Sequence, residues 1–567
     1  MIFLQDYLNK LFLKIANVIK RGLCMEASWV ALVPPLLVIA IAFFSRRMLL
    51  ALFMGIVSAL FFVHNADFFS IVNDFFIRIL ATTELRSVNS IQSLWNASNL
   101  CILLFLLFVG IFILLLRVSG GAYAYGEYVS RYLKNKKDAH SASLLFSLFF
   151  FIDDYLSSIS VGSVMQTVTD RFAIPRVKLA FLVNSMAAPL VVITPVSSWV
   201  ANITTQLKNA GISNNKEALI TVDAFYLYLQ AIPYLMYSFL VLVLVWFIIR
   251  QSLSFGVIYK HEAIAEKTGN LFAGKSPVME QYEERDVHGM CLVDFFAPLF
   301  FLFTVVAVGM LYFGDWTVFG GVKNIFNALS STRIAPALCI ASITTVLFTA
   351  VFLVLRKRIS LIELWVAIVG GIQLMFSSVC MLVFAWTLST LLGTELATGS
   401  YLASLVTGKI SAWLFPAVFF LLTALTTTLM GSAWGAMSIY IPIAIPMLLT
   451  LLGISGVDNI ALVPLLLPLV GAIVSGAVVG NHLSPMADNT LMAATSSGAY
   501  VIDVFKAQVS FTLPVALITA LAYAVLGYII MLGMQPLMAL GIVFCGAVLI
   551  GMGYFVCTYY LKQKNIL

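Results

Sequence analysis

Two acids stand side by side in FFIDDYLSSISVGS, Phe150 to Ser163, directly after a run of hydrocarbon. Asp153 and Asp154 could hold a cation, exchange a proton or cap a helix. Hydroxyls follow at Ser157, Ser158, Ser160, Ser163, Thr167 and Thr169. They can satisfy backbone groups freed where a helix breaks inside a membrane. A second polar cluster, VVGNHLSPMADNTLMAATSSG, runs from Val478 to Gly498. It gathers Asn481, His482, Ser484, Pro485, Asp488, Asn489 and Thr490 between two apolar spans. A histidine among acids can carry protons, because its ordinary pKa lies near neutrality. Asp488 adds another candidate ion ligand.

Two further stretches are interrupted in the same way. VNSMAAPLVVITPVSSWVANI, Val183 to Ile203, offers Asn184, Ser185, Thr194, Ser197 and Ser198, with Pro189 and Pro195 expected to break the helix. Neutral oxygens of this kind, with unwound carbonyls, suit a hard cation such as Na+. TTTLMGSAWGAMSIYIPIAIP, Thr426 to Pro446, carries Thr428 and Ser432, while Gly431 and Gly435 permit a close turn. Trp434 could wall a small pocket. Each stretch also has a plainer reading: a helix cap, a Pro-kinked span, small residues packing two helices, or an interfacial Ser-Pro turn.

These residues need elements to hold them, and composition says where. Of 567 residues, 62% are hydrophobic and 10% charged. Mean hydropathy is +1.03. A soluble domain is about a quarter charged. The expected fold is therefore an all-α polytopic membrane protein. At ~20 residues per crossing, the chain has room for about 11–14 transmembrane or re-entrant segments. Apolar spans fall near 27–44, 48–63, 99–118, 141–152, 180–199, 222–249, 294–313, 334–354, 362–391, 410–430, 436–453, 460–479, 508–532 and 535–558. From His140 to Asp153 the helical rise is ~20 Å. If His140 sits near the cytoplasmic surface, the acid pair lies around or beyond mid-membrane. A lone carboxylate there costs at least about 2.5 kcal/mol and should face a polar cavity or a cation. One acid could bind the cation while the other caps or pairs with Arg171 or Arg176.

The chain divides into an amphipathic segment 1–26, a first membrane half 27–249, a polar connector 250–293, a second half 294–558 and a tail 559–567. The net charge of +7 reads as a topology signal. Its Lys and Arg sit in short loops, with no basic stripe interleaved with aromatics for nucleic acid. Placing Ser45 to Arg47, Arg131 to Asp138 and Arg356 to Arg358 in the cytoplasm gives one consistent path. The basic N-terminal helix then starts outside, a conflict that an extra re-entrant segment within 66–98 would resolve. The seven cysteines form no metal or CxxC spacing and read as small core residues. Gly120 to Gly162 and Leu392 to Gly435 share a weak pattern of span, Gly-rich exit, Phe-rich half-span and polar break. The first copy's connector is basic and the second's is not, which suggests an inverted-topology repeat.

The motifs FFIDDY, LVNSMAAP, TPVSSW, LGTELATG, TTLMGSAWGAMSIYIPIAIP and GNHLSPMADNTLMAATSSGA, in this order, resemble the NhaC-type sodium/proton antiporter family over about residues 28 to 530. The resemblance implies an ion-transporter fold with inverted repeats, Na+ and/or H+ as coupling ions and no other cofactor. It also implies the inner membrane of a bacterium. The family's acidic motif falls on Phe151, Asp153, Asp154 and Tyr155, with Ile152 as a variant. Its small-residue motif falls on Ser432, Trp434 and Gly435. Its last motif falls on Gly480, Asn481, His482, Ser484, Pro485, Asp488, Asn489 and Thr490. Asn481 stands where the family usually has Asp, and Asn489 where it has Thr. Downstream, GAYVIDVF lacks a His-Asp cluster.

The function expected is a secondary transporter and not an enzyme. The first form is Na+/H+ antiport, the cation held by buried Asp153, Asp154 and Asp488 at broken helices with alternating access. The alternative is Na+- or H+-coupled carriage of a small organic acid or amino acid, since this chain has lost titratable groups. An intramembrane enzyme lacks a nucleophile or metal triad, and a channel is a minor alternative. Expected partners are the lipid bilayer, a small cation, a small organic solute and, by analogy, a second copy of the chain.

Overall fold

A computed structural model describes residues 29–563, apart from 46, 65–66, 214–217, 277–290, 326–327, 329–331, 397, 399–400, 402–403, 406–410, 455–456 and 458. Segment 1–26 and part of the second repeat copy lie outside the described residues. The chain is nearly all helix. In order come α1 (Val33–Ser45), α2 (Met48–Val63), α3 (Phe68–Thr82), α4 (Ile91–Asn96), α5 (Ser98–Val118) and α6 (Gly121–Ser130). Next are α7 (Lys136–Ser147), α8 (Asp154–Arg171), α9 (Arg176–Ile193), α10 (Ser198–Asn209), α11 (Ala224–Ala231) and α12 (Met236–Arg250). The connector holds α13 (Gly256–Thr268). The second half contains α14 (Leu292–Phe313), α15 (Ile334–Leu355), α16 (Leu361–Thr390), α17 (Phe415–Met430) and α18 (Ala433–Leu451). It closes with α19 (Leu466–Leu483), α20 (Asp488–Ser496), α21 (Val501–Met531) and α22 (Pro536–Gln563). Ten described helices are long and apolar enough to cross a membrane, or up to 11 if the span bent by 43° between Tyr234 and Met236 is one crossing.

Burial separates a centre from a rim. The most apolar windows of α9 and α19 are 89% buried, while that of α22 is 28% buried. Rim helices show Phe300, Leu347, Leu355, Trp365, Leu517 and Leu549 outward, as a lipid-facing surface requires. The two central helices both break. α9 ends at Ile193 and the chain resumes as α10 after Thr194 to Ser197. α19 ends at Leu483 and resumes as α20 after Ser484 to Ala487. Pro195 lies in the first break, as expected. Pro189 does not break anything: it sits inside α9.

Two helix hairpins accompany the breaks. α7 and α9 start on the face that carries the connector: Lys136 pairs with Glu266 at 2.9 Å, and the Arg176 amide donates to Leu271 O. α7 runs inward, turns at Leu148 to Asp153, and α8 runs back. α17 and α18 form the second hairpin, with Gly431 (φ 71°) and Ser432 at its tip. α17 runs alongside α19 in the same direction: a Cβ on Gly476 would meet Phe420 O at 2.4 Å, and one on Gly480 would meet Thr427 Cβ at 2.3 Å. α19 starts from the opposite face, where Val457 bridges Ile220. The second hairpin therefore dips from that face.

The basic segment Arg356 to Arg358 lies on the connector face. Asp294, fully buried, accepts from Arg356 Nε at 2.6 Å and lies 2.7 Å from Arg358 Nε. The extra re-entrant segment expected within 66–98 is not found among the described residues. α3 lies within 66–98, tied to the opposite face by Asp74 to His64, by Arg78 to Glu395 and by Thr387 donating to Thr82. It is a surface helix, not an added crossing, and exposes Phe68, Phe69 and Phe76. The connector is less solvated than its composition suggests, for Ile258, His261 and Ala265 of α13 are buried. Among the cysteines, Cys101 and Cys339 are core residues as expected, but Cys545 and Cys557 are exposed.

Candidate functional site

Short polar side chains build the interruptions. Asp153 has extended backbone and caps α8, its Oδ1 accepting from the Leu156 amide at 3.0 Å. Ser197 caps α10 through the Val200 amide, and Ser432 caps α18 through the Gly435 amide. An N-cap of this type satisfies a helix N–H that would otherwise be orphaned, worth about 1 kcal/mol. α9 and α19 both end inside the protein, so their last carbonyls lack helical partners and can face an ion.

The first tip and both breaks meet. The Ser198 amide donates to Ile152 O at 3.0 Å, joining tip to first break. Asn489 Nδ2 donates to Asp154 Oδ2 at 2.9 Å, and the Tyr155 hydroxyl donates to Asp488 Oδ2 at 2.9 Å, joining tip to second break. Asp153 and Asp154 are 0% and 2% exposed. Asp153 Oδ2 and Asp154 Oδ1 are buried without a hydrogen-bond partner. Neither acid pairs with a cationic side chain among the described residues. Arg176 binds Asp170 at 2.7 Å instead, and also donates to Ser497 O. The alternative of an acid paired with Arg176 therefore gives way to Asp153 as cap and Asp154 as an acid with one free oxygen.

Several of the neutral polar side chains named from the sequence lie beside the acids. Asn184 Nδ2 donates to Thr490 Oγ1, whose hydroxyl reaches Asn481 O, both at 3.3 Å. Asn184 Oδ1 and Ser198 Oγ are buried and unpartnered. Ser157 is buried one turn after the tip, and Ser484 Oγ accepts from the Met486 amide at 3.4 Å. His482 is fully buried near the end of α19. Its Nδ1 meets the Tyr237 hydroxyl at 2.9 Å, and a chain of hydrogen bonds continues through Thr512 and Gln508 to Ser185. The second tip is near but distinct. A Cβ on Gly431 would lie 3.3 Å from Met486 O, so this tip leans on the second break. Ser432 Oγ contacts Met381 Sδ, and Trp434 is buried beside it. Thr428 turns back to Ala424 O of its own helix at 2.8 Å and joins no acid. Asp153, Asp154 and Asp488 do not draw into one three-ligand metal cluster among the described residues. Such a site would rely on one or two carboxylates with neutral oxygens, a set that fits Na+ rather than a transition metal.

The Na+/H+ antiporter family model matches residues 190–528, more than half of the chain. The chain belongs to the Na+/H+ antiporter family. The match runs from the end of α9 into α21, and leaves out α8, with Asp153 and Asp154, and α22. An uncharacterized protein of Haemophilus influenzae is 30% identical to this family member over 507 residues, covering 88% of this chain and 91% of that one. A malate-2H(+)/Na(+)-lactate antiporter of Bacillus subtilis is 31% identical over 189 residues, 32% of this chain and 36% of that protein. Among solved structures, the Alcanivorax borkumensis YdaH transporter aligns with TM-score 0.46 at 17% identity, covering 83% of this chain and 90% of that one. Neisseria gonorrhoeae MtrF gives 0.39 at 13% identity, covering 80% and 83%. Neither score bears on function. Family and helices together make this a multi-pass membrane protein and a secondary transporter, not an enzyme.

Several side chains at the centre carried no sequence signal of their own. Apart from the family motif that includes it, Tyr155 reads as an ordinary aromatic, and Tyr237 and Gln508 read as parts of apolar spans. A polar or amphipathic residue at a fully buried depth was the available clue, and depth follows only from the packing.

Proposed function

We propose that this transporter exchanges Na+ for protons at Asp154. Asp153 and Asp488 flank that site, and access alternates between the two faces. The observation that carries the reading is Asp154 itself: fully buried, held through one oxygen by Asn489 of the second break, with the other oxygen open. A carboxylate in such a place needs either a proton or a cation. Both compete for the same oxygen, and that competition is antiport. The hairpins entering from opposite faces, each resting on a break, support two halves related as inverted repeats. The connector face is then cytoplasmic by its Lys and Arg. The Haemophilus influenzae relative supports a bacterial inner membrane.

The test is reconstitution. Adding Na+ to vesicles holding a preset pH gradient should dissipate it, and a Na+-independent gradient would refute the reading. A second reading is coupled exchange of a small organic acid. Asn481 favours it, because the carboxylate that the family resemblance implies there is an amide, as does the name of the Bacillus subtilis relative. Flux of labelled lactate or malate driven by Na+ would select it.

A further inference from the structure

α10 leaves the acid site with a polar stripe on one side. Ser198, Asn202 and Gln206 follow at i, i+4 and i+8, which is one face of a helix. All three are 0% exposed. The stripe meets two other elements. Trp386 Nε1 of α16 donates to Asn202 Oδ1 at 3.1 Å, and Gln206 Nε2 donates to the same oxygen at 3.4 Å. Gln206 Nε2 also donates to Ser438 Oγ of α18 at 2.8 Å, while Ser389 Oγ of α16 donates to Gln206 Oε1 at 2.5 Å. Asn209 Nδ2 donates to the same Ser389 Oγ at 3.3 Å, where the chain reaches the opposite face.

Two groups of the stripe are unsatisfied, Ser198 Oγ at the acid site and Asn202 Nδ2 farther along. Two donors fix the Asn202 amide with its oxygen toward them, so Nδ2 must point elsewhere, and it is buried with no partner. A buried amide N–H of this kind calls for an acceptor, and in a polar site water supplies it. The stripe carries no charge, so it would not trap a cation on the way. Its 12 residues rise about 17 Å, roughly half the hydrocarbon thickness. That is the distance from a mid-membrane acid pair to the surface. α16 turns into a π-helical segment, Leu391–Glu395, directly after Ser389 and Thr390, and single π turns frequently mark working parts of helices.

We propose that this stripe is the outer segment of the ion's route. It is a neutral track that fills with water and passes a hydrated monovalent cation between Asp154 and the face opposite the connector. The bonds of Gln206 to Ser389 and Ser438 close it in the present conformation. Opening requires α10 to part from α16 and α18 at those two hydroxyls. The inference rests on the cation-exchange reading for its cargo, but its geometry concerns water.

The experiment introduces Asn202→Cys and reads site-resolved labelling by a membrane-impermeant thiol reagent in oriented proteoliposomes. Labelling from the face opposite the connector, at least tenfold faster than from the connector face, is expected. Faster labelling from the connector face, or none from either face in vesicles that transport, would overturn the route. A parallel variant, Gln206→Leu, should cut Na+ flux at least tenfold while Na+ still raises its melting temperature as in the unmodified protein. Unchanged flux would overturn the gate. Should Gln206→Leu fail to fold, the thiol labelling decides alone. Absence of Na+-driven proton movement in the unmodified protein sinks the exchange reading and leaves the labelling result standing.

Discussion

Asp153 and Asp154 are buried and Asp488 is half-buried, and the three differ by what each already touches. Asp153 spends one oxygen on the α8 cap and Asp488 accepts from Tyr155, while Asp154 accepts from the Asn489 amide with the Trp199 indole beside it. Asp154→Asn should therefore abolish coupled flux, a loss of at least a hundredfold, with expression and melting temperature near the unmodified values. The amide keeps the shape and removes the charge that a cation needs. Surviving Na+-driven flux in that variant would place the essential acid elsewhere. His482 is linked to Tyr237 and the hydrogen-bond chain behind it, and lies against the Asn184 backbone. His482→Ala should move the pH optimum of flux while retaining turnover; an unchanged profile would make it a structural residue. The acid pair was visible in the sequence because charge inside a hydrocarbon run is costly and therefore conspicuous. Its partners were not. Tyr155 finds Asp488 across 333 residues, and Asn489 finds Asp154 across 335; no local pattern encodes pairings at that separation.

At the scale of elements, the breaks were legible and their arrangement was not. Short polar residues in apolar runs marked both hairpin tips and both interruptions, because freed backbone groups need local partners. Proline alone misled at Pro189, which α9 absorbs. The Ser198, Asn202 and Gln206 stripe was hidden for another reason: three polar residues in twelve look like a modest helix face until packing buries them. Contact between the second hairpin and α19 depends on glycine. A methyl group on Gly480 would stand 2.6 Å from Ala424 O as well as against Thr427. Gly480→Ala should cost about 1–3 kcal/mol of stability by overpacking. It should lower the melting temperature and slow transport together. A fully stable Gly480→Ala protein would show that α17 can move away at little cost.

Across the whole molecule, the connector acts as a clasp on one face. Lys178 pairs with Glu262, Lys275 with Asp503 at 2.5 Å, and His261 lies 3.7 Å from Asp503. These contacts tie α13 to α9 and α21. The charged composition of 250–293 hid this docking, since a run of Glu and Lys looks the same whether solvated or paired. Burial holds the His261 imidazole below its ordinary range, against the pull of Asp503. A base whose folded pKa is lowered supports the fold fully above its unfolded pKa, near 6.5, and less as pH falls below it. Melting temperature should therefore drop between pH 7.5 and 5.5, and His261→Gln should flatten that drop. Equal slopes in both proteins would remove His261 as the cause. The pairing across more than 300 residues has a last consequence, for biogenesis. When the ribosome has released only the first hairpin, Asp153 and Asp154 have neither Asn489 nor a closed cavity around them. The nascent half must be sheltered at the translocon, or left hydrated at the membrane surface, until α19 and α20 are made. A truncated first half should therefore be degraded rather than stored.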